Sequence, residues 1–377
     1  MRTILFSSRS SPYGGTIRRL RIWLAHLSVN YPLTVIIGNP VGVDCVGRLL
    51  EGCVHEIDLI EVQASNRSLV LLRLRAAMHL VRLLWSKQYQ TVMPVLPDSD
   101  IIGYAAVWLF NRLHKVNIRL VCHCAGSPVP VKMLNTRRGR WYKRVLSFVY
   151  RRCDEIVVIN ETLISHLVTE YGVACERIRV VPIAVECERQ SLVSRHSARE
   201  CYFGVLSRLT PEKSVDHVIR AFAEAREHNV GMHLIVFGEG IELDNLKALV
   251  VALRLTDMVE FGGWVADPAA ALAQMDCLIV SSKMEGTPRC ILEAGCYGVP
   301  TVASMVGGIP ELIDHGTTGW LYEYGDIAAL TKLMCRVCDE PENVRLAGEA
   351  IRQIVYTVHS PELELQGIIA SWEAQSP

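Results

Sequence analysis

The sequence predicts an α/β protein of two domains in which parallel strands alternate with helices. Three observations carry this expectation. The chain has 377 residues, against roughly 100–200 for a typical single domain. Half of the residues are hydrophobic and 21% are charged, a composition that fills buried cores and excludes wholesale disorder. Residues 276–311 read as strand, tight turn, helix, strand, Gly-Gly turn and helix, a βαβα unit.

Within that unit, residues 276–282 are a short apolar run suited to a buried strand. Glu285, Gly286, Thr287 and Pro288 make the turn, with Thr287 expected at the N-cap and Pro288 at the first helical position. The helix extends to Tyr297, residues 300–304 form the next strand, and Pro310 opens another helix after Gly307-Gly308. Two helix N-termini at the carboxyl ends of parallel strands would present unpaired N–H groups and positive partial charge, which suits a phosphate. Glu285 and Glu293 frame this site. Carboxylates repel phosphate, so they should face hydroxyl-rich groups such as a ribose or a sugar. The plain alternative is a solvated turn residue and an exposed helix position.

The run EGTPRCILEAGCYGVPTVASMVGGIPELI resembles the nucleotide-sugar signature of the retaining family 4 glycosyltransferases. The resemblance is strong over residues 200–325 and fainter before them. It implies the GT-B fold: two Rossmann-like doubly wound domains facing each other across a cleft, with a C-terminal helix crossing back to the first domain. The expected divisions are 1–185 with 361–377, a linker at 186–200, and a nucleotide-sugar domain at 201–360. The implied activity is transfer of a sugar from a nucleotide diphosphate sugar to a glycan or lipid-linked glycan, with no other cofactor.

In chain order, a strand at residues 3–7 leads through a loop to Gly14-Gly15-Thr16 and a helix to about residue 27. The two glycines let backbone approach a ligand closely, and the resemblance assigns Gly14 and Gly15 to the donor diphosphate. Further strands are expected at 33–37, near 54 and at 91–96, with a helix at 66–85 carrying Arg67, Arg73, Arg75 and Arg82 among leucines. Asp98-Ser99-Asp100 has the D-x-D form of a metal–nucleotide motif. Its place between a strand and an apolar helix makes these residues expected N-caps instead, and no metal is expected.

His123 ends a strand at 118–122, and the resemblance brings such a histidine near the reacting carbon of the donor sugar. A zinc site with Cys122 and Cys124 is disfavoured, because alternate strand residues point the same way and would leave His123 on the other face. Residues 155–159, 161–170 and 178–181 read as strand, helix and strand. After Pro182 the family's Asn-Gly-Val-Asp is replaced by Ile183-Ala184-Val185-Glu186.

The second domain opens with a strand at 202–206, followed by Arg208 and, five residues on, Lys213. Arg as a fork and Lys as a point charge can clamp a diphosphate. The family follows this Lys with Gly, whereas this chain has Ser214. Gly238-Glu239-Gly240 ends the strand at 232–237, and Gly263, Trp264 and Val265 match the family's loop against the nucleobase. The tail at 361–372 reads as an amphipathic helix. The resemblance implies catalytic roles for Glu285, His123, Arg208 and Lys213. Arg208, Lys213 and helix N–H groups would stabilise the leaving diphosphate, Glu285 would hold sugar hydroxyls and Glu293 the ribose. The leaving phosphate itself would take the acceptor's proton.

The zero net charge hides a division. Residues 1–185 hold 24 Lys and Arg against 12 Asp and Glu, and residues 186–377 the reverse imbalance, 15 against 27. Eight of the cations lie at 132–152 with no acid and with Trp141, Tyr142, Phe148 and Tyr150 between them. Near an anionic bilayer each such cation contributes ~1 kcal/mol, so peripheral docking at the inner face of a membrane is expected, and nucleic acid is the poorer match. No apolar run reaches the ~18 residues that would span a bilayer. Thirteen scattered cysteines without framework spacing read as reduced thiols of a cytoplasmic enzyme.

Three other functions stay open. A nucleotide-sugar epimerase shares the two-domain plan but needs an acid/base cluster that is absent beyond His123. A nicotinamide oxidoreductase would need G-x-G-x-x-G and an acidic partner about 20 residues on, which the N-terminal glycines lack. A non-catalytic subunit of the same fold is allowed by Ile183-Ala184 and Ser214.

Overall fold

The computed structural model describes residues 2–7, 15–27, 33–39, 58–63, 69–86, 89–129, 133, 135–187, 200–229 and 231–374. They divide into two compact units, residues 1–184 with 361–377 and residues 185–360.

The first unit runs β1 (Thr3–Ser7), α1 (Gly15–Leu27), β2 (Leu33–Asn39), β3 (Asp58–Gln63), α2 (Leu69–Trp85), β4 (Thr91–Pro94), α3 (Pro97–His114), β5 (Arg119–Cys124), α4 (Arg137–Tyr150), β6 (Glu155–Val158), α5 (Thr162–Tyr171) and β7 (Ile178–Val180). Its strands form one sheet in the order β3-β2-β1-β4-β5-β6-β7. β1 lies parallel between β2 and β4, Thr3 facing Leu33 on one side and Thr91 on the other. Every residue of β1, β4, β5 and β6 is buried, the unbroken apolar pattern of parallel strands covered on both faces. α2 packs on α3, and α3 on α4.

The second unit runs β8 (Cys201–Leu206), α6 (Val215–His228), β9 (Met232–Phe237), α7 (Leu243–Ala252), β10 (Val259–Gly263), α8 (Pro268–Leu272), β11 (Cys277–Val280), α9 (Arg289–Cys296), β12 (Thr301–Ser304), β13 (Gly319–Tyr322), α10 (Ile327–Asp339) and α11 (Pro341–Val358). The last helix, α12 (Pro361–Glu373), returns to the first unit, where it packs on α1. The second sheet is also parallel, in the order β10-β9-β8-β11-β12-β13. Phe203, Phe222 and Trp320 anchor its core. Strand order reverses between β8 and β11, and ligands of doubly wound sheets bind at that switch point, beyond the carboxyl ends of the strands.

Several local expectations are corrected. Asp98 and Ser99 do not cap α3: its N-cap is Leu96, without a side-chain bond, and Asp98 and Asp100 lie inside the first turn. Asp98 instead accepts from Arg73 and from Tyr142, while buried Asp100 accepts from Tyr150. Thr287 is not the cap of α9 either, since Pro288 holds the N-cap position and the helix starts at Arg289. Pro310 opens only a 3-10 turn, Ile309–Glu311, before the chain bends away. The strand expected near residue 54 falls outside the described residues, and the neighbour of β2 is β3 at 58–63. His123 lies within β5 rather than just after it. The thiols are not all reduced: Cys187 and Cys296 form a disulfide, with nine free cysteines among the described residues.

Candidate functional site

The site at the β8/β11 switch point is built from two loops stitched together by their own backbones. Beyond β8, residues 207–210 continue into a 3-10 turn, Pro211–Lys213, and then to Ser214, which has φ +47°. Left-handed backbone costs a side chain of order 1 kcal/mol, a physical reason for the Gly that the resembling sequences carry here. Ser214 shares a hydroxyl hydrogen bond of 3.0 Å with Tyr324. Beyond β11, the Ser281 hydroxyl donates to the carbonyls of Lys213 and Ser214 at 2.8 and 3.0 Å. The Lys283 N–H donates to the Glu212 carbonyl at 2.8 Å. The two loops are therefore held together by direct hydrogen bonds.

That stitching sets the charged groups. Lys213 Nζ donates to Glu285 Oε1 at 2.5 Å, and the Ser282 hydroxyl donates to the same oxygen at 2.6 Å. Glu293 projects from α9 with its Oε1 3.6 Å from Arg289 Nε. The side chains of Glu285 and Glu293 are each only 12% exposed, so the plain alternative of two solvated carboxylates is not what the fold provides. Arg208 differs: it is 75% exposed, with Glu212 at 3.8 Å.

Glycines let the loops close. Gly307, at φ +55°, sits so near Glu285 that a Cβ there would lie 1.8 Å from the Glu285 carbonyl oxygen. The Gly308 N–H then donates to the Gly286 carbonyl at 3.0 Å. Gly238 presses on Ser207 in the same way, its own Cβ position 1.8 Å from the Ser207 carbonyl oxygen. The Gly238 N–H donates to the Gly263 carbonyl at 2.7 Å, which ties the ends of β9 and β10. Gly263 has φ +68° with open space around it, and Trp264 beside it is half exposed. Cys290, the second residue of α9, lies close to Glu285. Burial first, then the Glu285 charge, push its thiol up to about 12, so it stays protonated at neutral pH.

The structure thus brings Lys213, Glu285, Gly286, Thr287, Pro288 and Glu293 to the carboxyl edge of the second sheet, with Arg208 at its rim and Gly263, Trp264 and Val265 at the end of β10, two strands from β8. Gly14 lies outside the described residues, and Gly15 is the first residue of α1. Ser281 and Ser282 were not singled out from the sequence. Two serines just past a buried strand were the available signal.

His123 occupies a separate, buried place in the first unit. Arg19 of α1 donates to its Nε2 and also to Glu364 of α12. Glu364 further accepts from Trp23 Nε1 at 2.9 Å and from the Ala184 N–H at 2.6 Å. The Trp23 ring meets His123 edge-on, centroids 5.5 Å apart. Burial and then the Arg19 charge hold the histidine pKa well below its usual value. It is neutral, and an acceptor at Nε2 makes it the Nδ1–H tautomer. That N–H has no acceptor among the described residues. Cys122 and Cys124 lie on the other face of β5, around Asp100, so the three do not converge. Among the described residues no cluster of His, Cys, Asp and Glu could hold a metal.

Two parallel Rossmann-like sheets with a charged, glycine-closed site at the second switch point define a GT-B glycosyltransferase fold. The chain matches the Glycosyl transferases group 1 model over residues 188–354 and the Glycosyltransferase Family 4 model over residues 33–189. Together the two glycosyltransferase models cover residues 33–354. Among its relatives, the N-acetyl-alpha-D-glucosaminyl L-malate synthase of Bacillus anthracis is 35% identical over 40% of this chain and 39% of its own length. The exopolysaccharide phosphotransferase SCO2592 of Streptomyces coelicolor is 31% identical over 58% of this chain and 23% of its own. The matches thus span well under half of those relatives. The fold is that of HepE from Anabaena, solved in complex with UDP: TM-score 0.80, 18% identity, 98% of this chain and 99% of that one.

Proposed function

We propose that the protein transfers a sugar, with retention at the anomeric carbon, from a nucleotide diphosphate sugar to a glycan or lipid-linked glycan, at a membrane surface. The observation that carries this is the Lys213–Glu285 pair at the switch point of the second sheet, with Glu293 on the helix that follows. A cation and a carboxylate locked together give the site one end for phosphate and one for hydroxyls. Lys213, Arg208 and the first N–H groups of α9 are placed to take up charge on the leaving diphosphate. Preorganised donors of this kind are worth ~10²–10³-fold each in rate. Glu285 receives the sugar hydroxyls and Glu293 the ribose. His123, neutral and fixed by Arg19, offers a hydrogen bond from Nδ1 rather than an acid. HepE was solved with UDP-glucose as well as with UDP, which supports a nucleotide-sugar donor here. This reading gives no metal a role, and the engagement of Asp98 and Asp100 by Arg73, Tyr142 and Tyr150 supports it.

A thermal-shift panel of UDP, GDP, ADP and their sugars tests the proposal. A ligand at 100 times its Kd stabilises by ~2.7 kcal/mol, which raises Tm by several degrees at roughly 2–4 °C per kcal/mol. One base should stand out. A flat panel at millimolar ligand would contradict a donor site.

A further inference from the structure

The helices covering one side of the first sheet are apolar on their outer surfaces as well as their inner ones. In α2 the inner stripe is Leu72, Ala76, Leu80 and Leu84, all buried. The opposite stripe repeats at the same spacing as Val70, Leu74, Met78 and Arg82, then Trp85, and every one of these is exposed. α3 does likewise: Val107 and Phe110 face the sheet, while Trp108, Leu109 and Leu113 face out, Leu113 at 66% exposure. On α4 the outward line is Arg137, Trp141, Arg144 and Phe148, with Trp141 at 64%.

Ring contacts join these stripes from helix to helix. Trp85 of α2 meets His114 of α3 edge-on at 5.8 Å, and Tyr104 of α3 meets Phe148 of α4 edge-on at 5.7 Å. Folded proteins rarely expose contiguous apolar surface on this scale without a partner for it. The charge on the same helices says which partner. α2, α3 and α4 together hold nine Lys and Arg against two Asp. Arg152 lies over the Phe148 ring at 3.9 Å and Arg112 over Trp108 at 5.9 Å, so cations and rings are interleaved at the level of single residues. A protein partner for an apolar face needs no such one-sided charge. An anionic bilayer needs both: cations for its headgroups, and aromatic and aliphatic side chains for the boundary just below them.

We propose that α2, α3 and α4 form a monotopic membrane-insertion face that takes anionic lipid. Attraction by the arginines is followed by burial of Trp108, Leu113, Trp141 and the outer stripe of α2 in the headgroup–acyl boundary. This deepens the membrane part of the proposed function from charge attraction to insertion. It uses only the first unit, so its failure would leave the donor site intact, and the reverse holds too.

Co-sedimentation of the full chain with vesicles of phosphatidylcholine alone, or with a quarter phosphatidylglycerol, tests it. Tryptophan emission is read in parallel. Binding should require phosphatidylglycerol, fall as salt rises from 50 to 500 mM, and shift tryptophan emission to the blue. Arg137→Ser, Arg138→Ser, Arg140→Ser and Arg144→Ser together should weaken binding at least tenfold. Trp108→Ser with Leu113→Ser should do the same and reduce the blue shift, while Tm and nucleotide binding stay as in the parent. Equal binding to neutral vesicles would overturn the proposal, as would binding that ignores the Trp108 and Leu113 substitutions. A self-associated form that these substitutions dissolve, with no vesicle binding, would make the face an interface between copies of the chain and overturn it too.

Discussion

His123 and Asp100 lie on opposite sides of the first sheet, and burial shifts their pKa values in opposite directions. For the histidine, the folded pKa is below the ordinary 6.5. The unfolded chain therefore binds the proton more readily, and the stability conferred by neutral His123 is complete above 6.5 and is lost as pH falls through that value. His123→Gln keeps an acceptor for Arg19 but cannot protonate. Its Tm should fall less than the parent's between pH 7.5 and 5, and parallel curves would contradict the assignment. For Asp100, burial raises the pKa well above the usual carboxylate range, with the Tyr150 hydrogen bond opposing. The folded state then holds the proton more tightly, so stability is lost as pH rises above ~4. Asp100→Asn should melt higher than the parent at pH 7 and level with it near pH 4, as followed by circular dichroism. A lower melting temperature at pH 7 would show that the carboxylate is required. Neither state was legible in the sequence. D-x-D ahead of an apolar helix reads as a cap, and only the packing of Tyr142, Tyr150 and Arg73 around it reveals buried acceptors.

At the scale of elements, the loops at the switch point depend on close backbone approach. Gly307→Ala forces a methyl into the Glu285 carbonyl and strains a left-handed residue, which by itself costs ~1–2 kcal/mol. Nucleotide affinity should fall at least tenfold. Gly263→Ala carries the same left-handed strain but meets open space and should lower affinity less, so equal losses would remove the steric explanation. The disulfide joins Cys187 to the end of α9, 109 residues away, a loop whose closure is worth ~4–5 kcal/mol by chain entropy. Reduction should lower Tm, and Cys187→Ser should match the reduced parent and no longer respond to reductant. Thiol titration that finds no additional thiols after reduction would remove the bridge. The strand–turn–helix run at 276–311 was readable because its signals are local: an apolar strand, Gly-Gly, and Pro beside a turn. The disulfide, and Glu364 reaching Arg19 across 345 residues, carry no local signal. Periodicity showed that α2 is rich in leucine, but an apolar helix alone does not tell which of its two stripes the sheet will cover.

At the scale of the molecule, the two parallel sheets and the family were legible because a nucleotide-sugar site concentrates its chemistry in one contiguous motif. The exposed patch on α2, α3 and α4 was visible only in part, as a run of charge, since its apolar half is spread over three helices that topology brings together. Metal independence is expected of the whole molecule. Turnover should survive EDTA, and activity lost to chelation and restored by magnesium or manganese would reassign Asp98 and Asp100. The central claim is that the second unit binds a nucleotide diphosphate through the Lys213–Glu285 pair and Glu293. Calorimetric titration of the best-binding nucleoside diphosphate into the parent, Lys213→Ala and Glu293→Gln tests it most directly. The account predicts saturable one-to-one binding without added metal, weakened at least tenfold in each variant while Tm changes little. Parent-like affinity in both variants would contradict it.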